Sequence, residues 1–465
     1  MFESGQHELV LDVVRHVIKE FDLQLDELHN DSTTISFFGA YADAGEPGEQ
    51  RGRPTPAITY GHSKDHRPDL KQLLYILTIT EDGGVPVYFT TKSGNTVDDQ
   101  THQETWDLLR ELVGNPDFLY IADCKLATMD NMRYIARKGG RFISVLPATR
   151  KEDTEFRQRL REHPQETAWT WLYDIRNEDD EEEIVDRLSI WPRETLTSDG
   201  YRLWWFHSTR KAQRDEAARL KKIDRALGEL NDLRRRMRGP RSRFRERPQV
   251  QEAVKAVLDG LEVRGWLRVG IQQWCAEDYR QATRGRPGKD TKYVKSEKLS
   301  YDLEWEIDTE ALDLERAGDG VFPLVTNVRE FSAKDTLQAY KRQPVIEKRF
   351  SQLKTDFEVA PVYLKNVSRI QAMLCVYFFA MLVQALLERE LRGAMQAAGK
   401  DSLPLYPEGR ACKRPTTRRV IDVFEPVQRH WLTDRRRTET LVTDLSRLQR
   451  RILRLLKMNP KDYGR

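Results

Sequence analysis

Apolar residues recur every four positions near the start of the chain, at Leu9, Val13, Val17, Phe21 and Leu25. This is the spacing of one face of an α-helix, so the pattern predicts an amphipathic helix. Between Ser32 and Phe38 the side chains instead fall into two alternating sets, one on each side of the backbone. That pattern predicts a strand, with Asp31 at its start.

Later patterns predict the remainder of a sheet. Two β-rich runs, Leu74–Thr80 and Val85–Thr91, flank Glu81-Asp-Gly-Gly84, which is typical of a hairpin turn. Helices and strands are then predicted in alternation. They are a helix from about Thr101 to Val113, a strand Phe118–Asp123, a helix from about Ala127 to Lys138 and a strand Arg141–Leu146. The predicted order is therefore β-β-β-α-β-α-β.

From Glu152 onward the pattern changes to long charged helices. Apolar residues from Leu220 to Met237 are spaced three or four apart before a Gly239-Pro240 break, which predicts a helical arm. Three Trp-bearing segments alternate like strands, and they are Tyr201–His207, Trp266–Trp274 and Tyr301–Ile307. We expect a mixed insertion, and the short arm is compatible with either a dimerisation coiled coil or internal packing.

The last third of the chain predicts a short strand at Gly320–Asn327, followed by helices at about Ser332–Phe357 and Ser368–Leu391. A basic, loop-rich tail follows and becomes helical from about Thr438 to Leu456. The longest apolar stretch, Met373–Leu387, is shorter than the ~20 residues that span a bilayer. We interpret it as a buried helix and expect no membrane segment.

The composition indicates the class of protein and its cellular compartment. With 465 residues, 39% hydrophobic and 32% charged, the chain is predicted to be globular and multidomain with a charged surface. The net charge is only +3, but basic residues collect at 234–247, 410–419 and 435–437, while acidic residues collect at 177–183. Such basic runs line a DNA path or form solvated helix faces. Four scattered cysteines and no export signal predict a cytoplasmic protein.

Three acidic residues suit metal-dependent phosphoryl transfer. Two-metal chemistry needs carboxylates that converge from separate elements. Asp31 begins the first predicted strand, Asp123 ends the fourth, and Glu347 lies in a helix after the insertion. A single Asp at a strand end is more often a cap or turn residue, so the order of all three carries the interpretation.

The predicted helix around Glu347 places polar residues on one face. Tyr340, Gln343, Glu347, Phe350 and Lys354 are separated by 3, 4, 3 and 4 residues. A carboxylate and a lysine that face the same way would serve metal ions and a nearby DNA phosphate. An ordinary surface face with salt bridges would produce the same spacing.

The spacing Tyr340-x2-Gln343-x3-Glu347-x6-Lys354 resembles the Y-x2-R-x3-E-x6-K signature of DDE transposases of bacterial insertion sequences. Gln343 stands where the family has arginine, and Arg342 or Arg349 is a candidate substitute. The segments Asn30–Thr34, Ile121–Cys124 and Asp319–Asn327 resemble other blocks of that family.

The resemblance implies an α/β fold with an RNase H-like mixed sheet flanked by helices and interrupted by a large, mostly helical insertion with some β-structure. The expected divisions are an N-terminal helix at 1–26, the first part of the core at 27–150, an insertion at 151–316, the second part of the core at 317–395 and a basic, helical C-terminal tail at 396–465.

The resemblance also implies a function. Asp31, Asp123 and Glu347 would hold two Mg²⁺ ions, with Mn²⁺ as a substitute, for cutting DNA at insertion-sequence ends and joining it to target DNA. Its DNA contacts would come from the helix signature, at Tyr340, Arg342, Gln343, Arg349 and Lys354. The expected partners are terminal inverted repeats and target DNA, bound by a homodimer on paired ends in the bacterial nucleoid.

Two alternatives remain open at the level of sequence. Only 30 residues precede Asp31, fewer than an end-recognition domain needs, so the chain would also fit a truncated, inactive DNA-binding remnant. A metal-dependent nuclease without strand transfer would share the same triad. A third possibility, a metal hydrolase site at His62, Asp65, His66 and Asp69, is disfavoured because Pro68 and Gly61 predict a loop.

Overall fold

The computed structural model describes residues 6–50, 52–163, 168–177, 182–239, 242–434 and 437–460. Within it the chain divides into two compact units, Met1–Val145 with Val325–Arg465 and Leu146–Leu324. Part of the predicted acidic run, residues 178–181, lies outside the described residues, as do Arg435 and Arg436 of the last basic run.

The first part of the first unit contains a helix, the core strands and a small hairpin. Its elements are α1 (Gln6–Phe21), β1 (Glu27–Phe37), β2 (Gly48–Gln50), β3 (Arg53–Thr55), β4 (Lys71–Thr80), β5 (Pro86–Ser93), α2 (His102–Val113), β6 (Leu119–Ala122), α3 (Met129–Arg137) and β7 (Arg141–Val145). Apart from the β2–β3 hairpin, this is the predicted order β-β-β-α-β-α-β, which is confirmed.

The sheet of this unit has the RNase H-like arrangement, so the predicted fold class is confirmed. Its strands lie in the order β5-β4-β1-β6-β7. β5, β4 and β1 are antiparallel neighbours, whereas β1, β6 and β7 run parallel. β4 is buried along nearly its whole length, as expected for a central strand that is covered on both faces.

The prediction that Asp31 begins a strand is wrong. β1 starts at Glu27, so Asp31 lies inside the strand and pairs with Leu77 of β4. The strand extends further because Glu27–His29 also pair with Leu119–Ile121 of β6. Polar side chains at the start of β1 hid this extension from the hydrophobic pattern.

The second unit is mixed α and β. Its elements are α4 (Lys151–Glu162), β8 (Thr170–Arg176), β9 (Ile184–Ile190), β10 (Thr195–Leu196), β11 (Arg202–Ser208), α5 (Thr209–Arg238), α6 (Arg247–Gly260), β12 (Leu267–Gln281), β13 (Tyr293–Ile307) and α7 (Thr309–Arg316). β8, β9 and β11 are antiparallel neighbours, and β12 with β13 forms a long hairpin. All three Trp-bearing segments predicted to be strands contribute to these strands.

The helical arm α5 packs inside the second unit. Leu230 and Leu233 of α5 are fully buried in a cluster with Val250 of α6, Leu267 of β12 and Leu303 of β13. The apolar stripe of α5, which by sequence was compatible with a coiled coil, is therefore covered by α6 and by the β12–β13 hairpin of the same unit. This packing accounts for the spacing of the leucines.

The chain then returns to the first unit. Its elements are β14 (Val321–Thr326), in which the unit boundary falls, α8 (Ala333–Tyr340), α9 (Pro344–Ser351), a π-helical turn (Gln352–Asp356), α10 (Val367–Ala397), α11 (Thr417–Phe424), β15 (Arg429–Asp434), β16 (Arg437–Val442) and α12 (Arg447–Leu455). The tail helix begins at Arg447, where Ser446 and Gln449 form a capping box, and not at Thr438 as predicted.

The prediction of one continuous helix from Ser332 to Phe357 is also wrong. The helix ends at Tyr340 and a new one begins at Pro344. Proline has no N–H and is tolerated in the first turn but not in a helix interior, so it restarts the helix here. The following π-helical turn at Gln352–Asp356 further changes the direction of the side chains. The polar residues around Glu347 therefore do not share one regular face.

α10 is the one helix among the described residues that is long and apolar enough, by length and composition alone, to cross a membrane. Buried residues of this helix include Leu374, Phe378 and Met381, and the Phe378 ring stacks on Phe89 of β5 at 4.8 Å. The packing is that of a core helix beside the sheet, and the apolar composition is weak evidence for a membrane.

Candidate active site

Asp31 lies within β1, and Asp123 directly follows the neighbouring parallel strand β6. His29 of β1 pairs with Ile121 of β6, so Asp31 and Asp123 each follow two residues later along the chain. Asp123 comes directly after the end of β6, where the Lys125 N–H donates to its Oδ1 at 3.0 Å. The two carboxylates are therefore close enough to interact electrostatically.

The two carboxylates are poorly solvated and repel each other. The pKa of Asp31 is raised to about 6, mainly by burial and also by the Asp123 and Asp98 carboxylates, while the Lys64 ammonium opposes the rise. Burial also raises the pKa of Asp123. Anionic groups in such surroundings are stabilised by a cation placed between them.

Lys64 supplies a cation at this place. Its Nζ lies 3.6 Å from Asp31 Oδ1 and 2.9 Å from Asp98 Oδ2. It also donates to the Ser32 carbonyl at 2.8 Å and to Ser32 Oγ at 2.6 Å. Burial alone would lower the pKa of Lys64, but the carboxylates of Asp31, Asp98 and Asp123 raise it above its ordinary value.

Sequence reasoning missed both Lys64 and Asp98. Lys64 lies in the polar loop that was considered for metal ligation through its His and Asp residues. Asp98 begins a 3-10 turn, Asp98–Thr101, and no sequence pattern separates it from an ordinary turn residue. The predicted loop is confirmed, since residues 61–69 contain no helix or strand.

The start of α9 is fastened to β1 beside Asp31. Gln343 is buried, and its Oε1 is 2.8 Å from Nδ1 of His29 while its Nε2 donates to the Asn30 carbonyl at 3.0 Å. His29 Nε2 in turn lies 2.8 Å from Glu27 Oε1. The side chain that replaces the signature arginine therefore holds two elements together.

Arg342 and Arg349 are also engaged within the protein. Arg342 forms an ion pair with Glu27. Burial would raise the pKa of Glu27, but hydrogen bonds from His29 and Arg342 outweigh burial and lower it. Arg349 is buried and donates to the carbonyls of Gly83 and Gly84 at 3.2 and 3.0 Å.

Contacts of Arg342, Gln343 and Arg349 with DNA therefore stay predictions. For Gln343 and Arg349, such contacts would require the side chains to leave buried hydrogen bonds. Arg342 is more accessible, but its contact would require exchange of the Glu27 carboxylate for a phosphate.

Tyr340 is partly buried against the core cluster that contains Ile121, and the charges of all three predicted metal ligands act on its hydroxyl. The pKa of its hydroxyl is raised, first by burial and then by the charges of Asp123, Cys124, Asp31 and Glu347. The phenol consequently stays protonated at neutral pH and can donate a hydrogen bond. The Tyr340 hydroxyl thus experiences the charge of Glu347 as well as the charges of the two aspartates.

Glu347 and Lys354 occupy different turns after the helix break. Glu347 is exposed in the first turn of α9, and its carboxylate has no hydrogen-bond or ion-pair partner among the described residues. Lys354 lies in the π-helical turn, where its Nζ contacts Asp65 Oδ1 at 2.5 Å. The loop that carries Lys64 thus also carries the partner of Lys354.

The donor chemistry of this site suits a divalent metal ion in part. Carboxylate oxygens are the ligands that Mg²⁺ and Mn²⁺ prefer, and Asp31 already pairs with the Lys64 ammonium, which the charge of Asp123 also attracts. In the described part of the chain, however, no group of three or more His, Cys, Asp or Glu side chains is arranged to hold a metal ion. Glu347 would have to approach the aspartates to complete one.

Comparisons with known proteins place the chain in a wider context. The sequence matches the family described as "Transposase DDE domain" over residues 26–383. No curated protein matches it. Because this match extends over most of the chain, it does not depend on the local geometry of the candidate site.

Two solved structures show a weak likeness. The Mos1 mariner paired end complex with Mn is 11% identical, with a TM-score of 0.17, over 31% of this chain and 42% of that chain. Endonuclease V of Ciona intestinalis, in complex with a 24mer DNA that contains an inosine, is 10% identical, with a TM-score of 0.16, over 38% of this chain and 74% of that chain. The aligned part covers less than half of the mariner chain, and TM-scores this low carry no argument about the site.

Proposed function

The chain belongs to the family of transposases with a DDE domain, and on this basis we propose that it cuts DNA at the ends of an insertion sequence and joins them to target DNA. The observation that carries the proposal is the register of β1 and β6, which brings Asp31 in β1 close to Asp123 directly after β6. A family resemblance and an electrostatic site made of the predicted residues thus point to the same chemistry.

Divalent metal ions would be held by Asp31, Asp123 and Glu347. When bound, such ions activate the attacking hydroxyl and stabilise the leaving oxygen of phosphoryl transfer. Burial of the two aspartates disfavours their charged forms in the protein alone, which increases their gain from a cation. Glu347 has no competing partner in the described residues and is free to join them.

Tyr340 and Lys354 would orient the DNA. The protonated Tyr340 hydroxyl can donate to a phosphate oxygen close to the aspartates. The Lys354 ammonium can contact the same backbone once Asp65 releases it. Neither contact forms or breaks a covalent bond to the protein, so both residues serve to position the reacting phosphate.

We further propose that terminal inverted repeats and target DNA are bound by a homodimer on paired ends, in the bacterial nucleoid. The basic runs at 234–247 and 410–419 are candidates for neutralising the flanking backbone. Several of their arginines already pair with acids in the protein, as Arg234 does with Asp302, so only part of each run is available.

Cleavage and joining of the element's own end DNA test the proposal. The gene should be flanked by inverted repeats bracketed by short direct duplications, and purified protein with Mg²⁺ or Mn²⁺ should nick and join labelled DNA of those repeats. Glu347→Gln should abolish both steps because it removes a metal-binding charge. Glu358→Gln, an equally exposed change after the π-helical turn, should leave both intact.

The outcomes separate the alternatives. Nicking without joining would favour a metal-dependent nuclease, and a folded protein with neither activity would favour an inactive DNA-binding remnant. Full activity of Glu347→Gln would overturn the assignment of this residue to the metal site.

A further inference from the structure

Two adjacent, oppositely charged residues of one loop contact two different residues of the candidate active site, Asp31 and Lys354. The loop, residues 61–69, carries Lys64 and Asp65 side by side. Lys64 contacts Asp31 and Asp98, and Asp65 contacts Lys354. Each side chain thus faces a residue that the proposed function assigns to a metal ion or to DNA.

The Lys64 ammonium lies where a metal cation would be attracted. It lies 3.6 Å from Asp31 and 2.9 Å from Asp98, and it is attracted by the charge of Asp123. It also donates hydrogen bonds to two oxygens of Ser32. An ammonium and a divalent metal ion compete for the same carboxylate charge.

The Asp65 carboxylate lies where a phosphate would be attracted. Its Oδ1 is 2.5 Å from Lys354 Nζ, and its Oδ2 accepts a hydrogen bond from Ser36 Oγ at 3.4 Å. A carboxylate and a phosphate oxygen make similar charge-assisted bonds to an ammonium group. Asp65 therefore satisfies Lys354 before any DNA arrives.

The base of the loop is fixed, whereas its tip is lightly held. A Cβ atom at Gly61 would lie 1.9 Å from the Gly94 carbonyl, so the backbones pack closely there. Gln72 Nε2 adds hydrogen bonds to the carbonyls of His62 and Gly94 at 3.2 and 2.8 Å. Residues 65–69 are exposed, so little packing opposes movement of the tip.

We propose that this loop is an internal stand-in for both ligands, with Lys64 in place of the metal cation and Asp65 in place of a DNA phosphate. The proposal rests on the proposed function. Metal binding displaces Lys64, and the resulting shift of the loop weakens the hold of Asp65 on Lys354. Because coupling between two binding events is reciprocal, DNA that captures Lys354 also favours metal binding.

The first test measures metal binding directly, without DNA or turnover. Mn²⁺ is titrated into the full-length protein and the free ion is followed by electron paramagnetic resonance. Lys64→Gln should bind Mn²⁺ roughly tenfold more tightly than the wild type, because a competing partly buried cation is gone. Lys64→Arg should stay close to the wild type. Lys71→Gln, whose Nζ contacts the Ala40 carbonyl, is the matched control and should not change the affinity.

The second test measures DNA binding without metal. A short fluorescein-labelled duplex of arbitrary sequence is titrated with protein in EDTA and followed by anisotropy. Asp65→Asn should bind several-fold more tightly because Lys354 is released. Asp69→Asn makes the same chemical change on the same loop but removes only the pair with Arg67, so it controls for the gain in net charge.

The results distinguish this inference from the proposed function. Unchanged or weaker Mn²⁺ binding by Lys64→Gln, or equal effects of Asp65→Asn and Asp69→Asn, would overturn the stand-in role. Failure of the wild type to bind Mn²⁺ at all would count against the proposed function itself. If circular dichroism shows that Lys64→Gln does not fold, the comparison of Asp65→Asn with Asp69→Asn decides.

Discussion

Gln343 Nε2 donates to the Asn30 carbonyl at 3.0 Å and so fastens the start of the Glu347 helix to the residue directly before Asp31. Gln343→Ala should lower the free energy of unfolding by about 1–3 kcal/mol, because buried groups of His29 and Asn30 lose a partner. Urea unfolding followed by circular dichroism measures the change.

The exposed Gln338 on α8 provides the control for this prediction. Gln338→Ala should leave stability within about 0.5 kcal/mol of the wild type. If the Gln343→Ala variant were as stable as the wild type, the hydrogen bonds of Gln343 to β1 would make no net contribution to the free energy of unfolding.

The buried ion pair between Arg349 and Glu388 should be far more sensitive to removal of one partner. Arg349→Met leaves the buried Glu388 with Arg392 and the Thr417 N–H as partners and should cost about 1–3 kcal/mol of stability. Adding Glu388→Gln removes the Glu388 charge and should recover part of the loss. Arg15→Met breaks an exposed pair with Glu111 and should change stability by less than about 1 kcal/mol in the same urea unfolding experiment. A double variant less stable than Arg349→Met would contradict this account.

The two faces of α5 should respond differently to truncation. Leu230 is fully buried in the second unit, so Leu230→Ala should destabilise by about 2–5 kcal/mol in urea unfolding. Leu220 on the same helix is 48% exposed, and Leu220→Ala should change stability by no more than about 0.5 kcal/mol. A change of oligomeric state in Leu220→Ala, measured by sedimentation velocity, would instead assign this face of the arm to an intersubunit contact.

Glu152 should stabilise the second unit in a pH-dependent way. Its hydrogen bond with Arg150 lowers its pKa from 4.5 to about 2, assisted by the backbone N–H of Ser198. A carboxyl whose pKa is lower in the folded state stabilises that state above its unfolded pKa, and this contribution disappears as the pH falls through the folded value.

The measurement compares urea unfolding of the wild type and Glu152→Gln across pH. The wild type should be more stable by about 1–3 kcal/mol at pH 7 and above, and the difference should shrink between about pH 5 and pH 2. Glu155→Gln on the same helix removes only an exposed pair with Lys151 and should show no comparable change. A difference that is independent of pH would exclude a charged Glu152 as the cause.

Much of the core was predictable because its signals are local. The apolar run before Asp123 ends where β6 ends, and hydrophobic periods gave the order of the strands and helices around it. Glu347 became a candidate because the spacing of its neighbours resembles the transposase signature, and its role in the site stays a prediction. The start of β1 could not be predicted, because its polar residues are buried by partners such as Gln343 that lie more than 300 positions away.

The remaining site residues depend on contacts that no local pattern encodes. Lys64 reaches Ser32 and Asp31 across a loop, and a lysine in a polar loop is ordinarily a solvated residue. Pro344 was visible in the sequence, yet the periodic spacing of its neighbours predicted an uninterrupted helix through it. The break shows that residues at helical spacing need not share a regular helical face.

The division of the first unit also sets an order of events during protein synthesis. The second unit, Leu146–Leu324, comprises 324 − 146 + 1 = 179 residues that the ribosome makes between the two parts of the first. At ~5–20 residues per second, translation of this segment takes on the order of 10–40 s. A nascent chain therefore carries Asp31, Lys64 and Asp123 for that interval before Glu347 exists. A polypeptide released before residue 347 would carry both aspartates and Lys64 but lack the carboxylate that we propose as the third metal ligand, so we expect it not to cut DNA.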